Sequence, residues 1–196
     1  MNAWGTEEIN TLTIVHRRTR CAGFTLTELL ITLTVAAILT ALAVPSYRSY
    51  IQSSRMASAT NDLVAVLNTA RSVAISTGQQ VVFCASSDQA TCSGTWNDGW
   101  ILFTDCNANT TPDTTGTVCG NPPDRPEQLL SVGEGSTQGR DISNGAGNTN
   151  MRYLANGMTN SAADETFTVC VDDADEGRQV DVNPVGRVTT STVACP

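Results

Sequence analysis

Phe24 to Val44 is a 21-residue apolar stretch broken by one charge, Glu28, and preceded by Arg17, Arg18 and Arg20 and then by Cys21, Ala22 and Gly23. A helix rises about 1.5 Å per residue and the hydrocarbon core of a bilayer is about 30 Å thick, so a run of this length can cross a membrane. A carboxylate in the first turn of such a helix is costly in lipid, which makes Glu28 a functional candidate.

Around that charge the chain reads Gly23, Phe24, Thr25, Leu26, Thr27, Glu28, Leu29, Leu30, Ile31. This segment resembles the processing site of type IV prepilins and of type II secretion pseudopilins. In that superfamily a membrane peptidase cuts after the glycine, the new amino terminus is methylated, and the hydrophobic helix is kept. The resemblance implies cleavage between Gly23 and Phe24, N-methylation of Phe24 and an assembly role for Glu28. An unpaired carboxylate in a filament core is disfavoured, and the ammonium of a neighbouring subunit's Phe24 would neutralise it. The implied partners are the prepilin peptidase, an inner-membrane assembly platform, and other minor and major pilins. The implied location is the bacterial inner membrane, crossed once, with the carboxyl-terminal domain in the periplasm before entry into a pilus or pseudopilus.

An ordinary secretory signal is the competing reading, because Ala41, Leu42 and Ala43 make a passable cleavage site after a basic start and an apolar stretch. Such signals carry an apolar run of about 7 to 15 residues. The run here is longer and has a glutamate at its entrance. The mature amino terminus separates the two: Phe24 for a pilin, Val44 for a secreted protein. The leader, residues 1–23, is long for a prepilin, which raises the expectation of a start downstream of Met1.

The charge balance fits an envelope protein. The chain has 11 arginines, no lysine and 19 acids, for a net charge of -8. Loss of residues 1–23 removes three arginines and two acids and leaves about -9. That acidity repels nucleic acid and anionic membrane surfaces and favours solubility. With a long amino-terminal helix set aside, the remaining length suits one globular domain.

Of seven cysteines, Cys21 falls in the leader. The exported part keeps Cys84, Cys92, Cys106, Cys119, Cys170 and Cys195, an even number in an oxidising compartment, which argues for disulfides. Among the possible connectivities, proximity in sequence favours Cys84 with Cys92, Cys106 with Cys119, and Cys170 with Cys195. No pair has the close spacing of a zinc site, and the one histidine, His16, is in the leader, so no metal and no cofactor are expected.

Beyond Pro45 apolar residues recur at helical spacing through Ala59, Leu63, Val66, Leu67, Ala70 and Ala74. Pro45 is expected to kink the helix without ending it, and Gly78 to stop it after Thr77. The stripe suits packing against a sheet. Past Gly78, short β-prone runs follow at Val81–Ala85, Trp100–Phe103, Gln128–Val132, Met151–Leu154, Phe167–Val171, Gln179–Val182 and Val188–Val193. Residues 107–127 and 133–149 read as loops. The expected fold class is α+β: a long amino-terminal helix, transmembrane and then amphipathic, packed on a mostly antiparallel β domain. The expected divisions are a leader at 1–23, a membrane helix at 24–45, its amphipathic continuation at 46–77 and a β domain at 78–196.

Four further stretches carry a second resemblance: Arg71 to Gly78; Trp96-Asn97-Asp98-Gly99-Trp100-Ile101-Leu102-Phe103-Thr104-Asp105; Tyr153, Leu154, Asn156 and Gly157; and Asn183-Pro184-Val185-Gly186-Arg187. Together they resemble the GspH/FimT family of minor pilins and pseudopilins. That resemblance implies a low-abundance subunit that helps begin or cap a pilus-like filament. Trp96 and Trp100 read as buried structural aromatics near the cysteines in preference to contacts with a neighbour.

Some members of that family bind DNA in natural transformation through a Gly-Arg-x-Arg loop. Here Gly186 and Arg187 match, but Thr189 replaces the second arginine. Residues 78–196 carry 15 acids against 5 arginines, which opposes phosphate binding and leaves Arg187 and Arg178 as the only evident basic contacts. Asp105, Asn107, Asn109 and Asp113 have the spacing of an oxygen-ligand loop, and Asp172, Asp173, Asp175 and Glu176 form an acidic turn; neither completes a calcium motif. Without histidine or lysine in the mature chain, and with no serine in a nucleophile elbow, no enzymatic activity is expected. Asp164 and Glu165 read as solvated loop residues. Between the two assemblies, the inferred bridges and long loops incline toward the pilus over the secretion system.

Overall fold

A computed structural model gives the fold and describes residues 23–113, 118–119, 125–135, 139–172 and 174–195. His16 and Cys21 of the leader, Asp173, and the side chain of Cys119 lie outside the described residues. The chain divides into two compact units, Met1–Val44 and Pro45–Pro196.

One helix, α1 (Leu26–Thr77), contains both the apolar run and the amphipathic stripe, with Pro45 inside it. Thr25 starts it. Its hydroxyl accepts the N–H of Glu28 at 3.2 Å and its carbonyl that of Leu29 at 3.1 Å, satisfying donors that a helix start otherwise leaves bare. In the Pro45–Pro196 unit α1 buries Met56, Ala59, Leu63, Val66, Leu67, Ala70 and Ala74, a three-and-four spacing that keeps one face inward.

The rest is antiparallel sheet. The strands are β1 (Gln80–Ala85), β2 (Gly99–Asp105), β3 (Val118–Cys119), β4 (Arg125–Pro126), β5 (Leu129–Glu134), β6 (Arg140–Asn144), β7 (Asn150–Tyr153), β8 (Glu165–Val171), β9 (Glu176–Val182) and β10 (Val188–Ala194). They form one four-stranded sheet ordered β5-β2-β1-β7, a second ordered β10-β9-β8-β6, and the short ribbon β3-β4. Two segments expected to be loops therefore contain strands: β3 and β4 lie within 107–127, and β6 within 133–149.

Both sheets contribute to one core with α1, through Phe83 and Leu102 on one side and Phe167, Val169 and Val180 on the other. Aromatic rings join them. Phe83 lies 4.8 Å from Trp96 and 6.0 Å from Phe167 between ring centroids, and Trp96 meets Phe167 edge-on at 5.1 Å. Contacts of this geometry stabilise by about 0.5 to 1.5 kcal/mol beyond the area they bury. The first sheet is also covered on its reverse face, where Val82, Cys84, Ile101 and Phe103 form a second apolar cluster with Cys92. That is why β1 and β2 read as continuous apolar runs and not as alternating ones.

Candidate functional site

Glu28 occupies the first turn of α1, three residues after the capping Thr25. The pair has the Thr-x-x-Glu pattern of a capping box, a signal present in the sequence but missed there, and it gives Glu28 a local reason to sit at a helix start besides any role in assembly. The helix dipole adds to this, since a carboxylate is favoured near a helix amino terminus. Among the described residues the apolar side chains around it are exposed. Phe24 is 82% exposed, Leu26 74% and Leu42 70%, and every residue from Gly23 to Tyr50 is open. Apolar surface of that extent marks contact with lipid or with other apolar helices.

The domain is stapled by disulfides. Cys84 joins Cys92 across 8 residues, and Cys170 joins Cys195 across 25. Cys106 is also disulfide-bonded; the side chain of Cys119, its expected partner, is outside the described residues. The Cys84–Cys92 loop is organised by Asp88, whose carboxylate accepts the N–H groups of Ala90 and Thr91 at 2.9 and 2.8 Å and the Thr91 hydroxyl at 2.7 Å. Those donors, the Thr91 N–H foremost, hold the Asp88 carboxyl well below the usual carboxylate range. Asp98 does the same for the next turn, held low by the N–H and hydroxyl of Thr95.

Residues far apart in the chain meet at Arg71. Its guanidinium donates to the carbonyl of Gly157 at 3.2 Å and to that of Val185 at 2.9 Å, tying α1 to both loops at that end of the domain. Gly186 has φ +78°, and a Cβ there would lie 2.1 Å from the Gly157 carbonyl oxygen, so the approach admits only glycine. Tyr153 packs beside this junction, and burial pushes its phenol far up. Asn97 makes a second long-range tie: its side-chain oxygen accepts the Ile142 N–H and its amide donates to Asp141, capping part of the open edge of β6. Trp96 and Trp100 are core residues here, the first buried and the second half-buried.

The structure does not bring Arg178 and Arg187 together. Arg187 is exposed in the β9–β10 turn, with its N–H on the Asn183 side chain. Arg178 pairs across the hairpin with Thr192, about 13 Å of strand away from that turn, with Asp181 in between.

The candidate oxygen-ligand loop is a hydrogen-bonded turn. Asn107 and Asn109 both donate to the Asp113 carboxylate, at 3.0 and 2.9 Å, while their own oxygens accept the N–H groups of Asn109 and Thr111. Asp105 is buried and accepts the Thr110 N–H, and buried Glu127 accepts those of Cys106 and Asp113. Among the described residues no three acids, histidines or cysteines come together as a metal site. Glu165 corrects the loop expectation: it opens β8, is buried, and accepts the amides of Asn144 and Asn148, fixing the β6–β7 connection. A charge buried without such donors would be strongly destabilising.

Comparison with known proteins is consistent with these elements. Residues 18–44 match the prokaryotic N-terminal methylation motif. Residues 59–186 match the family described as type II transport protein GspH. The chain belongs to the GspH family. Among solved structures, the type IV minor pilin FimU of Pseudomonas aeruginosa aligns with a TM-score of 0.53 at 19% identity, over 72% of this chain and 92% of that one. A second crystal form of the same pilin gives 0.49 at 21% identity, over 68% and 90%. At 19% identity the first likeness establishes a shared fold. No curated protein sequence matches. GspH-family membership and the methylation motif make this chain a minor pilin or pseudopilin, with the pilin fold of a structural subunit that assembles with other pilins.

Proposed function

We propose that this chain is a minor pilin of a type IV pilus, cut between Gly23 and Phe24, methylated at Phe24, and assembled with other minor and major pilins to begin or cap the filament. The proposed divisions are a leader at 1–23, a membrane helix at 24–45, its amphipathic continuation at 46–77 and the β domain at 78–196. Prepilin peptidase and an inner-membrane platform act on it before assembly, with the domain on the periplasmic side. Its role is structural and not catalytic.

The observation that carries this reading is the amino-terminal half of α1, apolar and exposed among the described residues, ahead of a unit that has an apolar core of its own. Such a helix serves first as a membrane anchor and then as the surface that joins a bundle. Inside that bundle Glu28 needs a cationic partner, and the Phe24 ammonium of a neighbour supplies one.

Sequencing of the membrane-bound product should begin at methylated Phe24; a start at Val44 overturns the reading. Glu28→Ala should leave the membrane level unchanged and lower incorporation into sheared filaments at least roughly tenfold. Incorporation equal to wild type removes the assembly role and leaves Glu28 as a helix cap.

A pseudopilin of a type II secretion system is the second reading, favoured by the description of the matched family. Deletion of the chain separates the two: loss of surface pili with secretion intact supports the pilus, and the reverse supports the secretion system.

A further inference from the structure

The two four-stranded sheets end in four edges: β5 and β7 in the first, β10 and β6 in the second. A bare edge presents unpaired N–H and C=O groups that template a further strand, so folds blunt it. Three of these edges are blunted. On β7, the Asn160 side chain accepts the Arg152 N–H at 3.0 Å, and the Asn160 N–H goes to the Arg152 carbonyl at 3.0 Å. On β6, Asn97 takes the Ile142 N–H. β5 is broken by a register shift, Leu102 pairing with Ser131 but Phe103 with Leu129, and such a break bends an edge away from flat pairing.

β10 has none of these devices. Its seven residues, Val188-Thr189-Thr190-Ser191-Thr192-Val193-Ala194, include no charge, proline or glycine, and they pair with β9 in unbroken register. Thr189 to Thr192 are exposed. Both ends are fastened. At one the Asn183 N–H donates to the Arg187 carbonyl at 3.1 Å; at the other the Cys195 N–H donates to the Asp175 carbonyl at 3.1 Å, beside the Cys170–Cys195 bridge. These two bonds fix which way each backbone group points, because bonded and non-bonded pairs alternate along an antiparallel ladder. Thr189, Ser191 and Val193 turn their N–H and C=O groups toward β9; Val188, Thr190, Thr192 and Ala194 turn theirs outward. Among the described residues no strand lies on that side.

We propose that β10 receives an extended segment of a different pilin as a further strand of the sheet. A strand held at both ends loses little freedom when a partner docks, and the main-chain bonds supply the grip. The segment is uncharged and rich in Thr, Ser and Val, since these match a row of hydroxyls and methyls across a strand pair. Its source follows from position. The exposed surface of α1 runs on through Tyr47 and Tyr50, and a groove of about 390 Å³ then joins Ser49, Gln52 and Met56 of α1 to Arg178 and Thr192 of the hairpin. A subunit packed along this part of α1 comes up against β10. Two copies of this chain joined through β10 would form a closed isologous pair, which leaves neither edge for the filament. The proposal rests on the pilin reading and names the surface by which this subunit meets its neighbour.

Proline tests it in the full chain. Thr190→Pro and Thr192→Pro each remove an outward N–H and should lower incorporation into sheared filaments at least roughly fivefold. Thermal melting in detergent should stay at the wild-type value for both, whereas Ser191→Pro, which removes a bond to β9, should lower it. Thr190→Val keeps the backbone and should enter filaments like wild type. In filaments, a benzophenone amino acid at position 191 should couple to an uncharged extended segment of another pilin. Wild-type incorporation of both outward prolines overturns the proposal, as does a loss with Thr190→Val or coupling only to a second copy of this chain. Melting lowered as much by Thr190→Pro as by Ser191→Pro overturns it too, because the outward assignment would then be wrong. These outcomes are distinct from failure of the pilin reading, which is judged by processing at Phe24 and by entry of the unaltered chain into filaments.

Discussion

The two halves of α1 share a backbone conformation and differ in what surrounds them. From Leu26 to Val44 no residue is buried within the chain, whereas between Met56 and Ala74 eight are. The sequence explains the difference. The first half is apolar on every side, as suits lipid or a bundle of like helices, and the second is apolar on one stripe, as suits a single sheet-bearing domain. One half depends on surroundings outside the chain, and the other carries its partner with it.

The sharpest way to break this comparison is to remove the same side chain from each half. Leu67 is fully buried and Leu39 is 62% exposed. In detergent solution Leu67→Ala should lower domain stability by about 2 to 5 kcal/mol, measured by denaturant unfolding, and Leu39→Ala should change it by less than about 0.5 kcal/mol. Equal effects would mean that the halves are not distinct. The next effect in size comes from the bridges. Replacing Cys170 and Cys195 by serine should cost about 3.5 kcal/mol, and replacing Cys84 and Cys92 about 2.5 kcal/mol, because the longer closed loop restricts the unfolded chain more. Membrane insertion should be unaffected by either; a loss of insertion would tie the amino-terminal half to the state of the domain.

The smallest effect is a pH dependence. Asp88 titrates below its ordinary 3.8 in the folded chain, so its contribution is present above that value and lost as pH falls beneath it toward the folded one. Thermal melting should therefore decline between about pH 4 and pH 2, and Asp88→Ala should flatten the decline.

Much of this was readable from the residues, for physical reasons that differ by element. The stripe from Ala59 to Ala74 is a helical periodicity, and the runs around Phe83 and Leu102 are continuous β-prone stretches bounded by turn residues; both are local patterns, which is why α1, β1 and β2 could be placed from the residues. β6 was not readable. It has one apolar residue among polar ones, Ile142, and is held by pairing with β8 and by the side chain of Asn97, 45 positions upstream of Ile142. The burial of Glu165 was hidden for the same reason, since its amide donors lie in another strand and its turn. The Thr25–Glu28 spacing is a local pattern as well, since a capping threonine with a glutamate three positions on marks a helix start.

Arg71 fastens both loops through main-chain oxygens, at Gly157 and Val185. A clamp that grips the peptide backbone is indifferent to the side chains it holds. Except where glycine is required, at Gly157 and Gly186, these loops can change their chemistry without loosening that grip, so new partner preferences could evolve at this end while the scaffold stays the same.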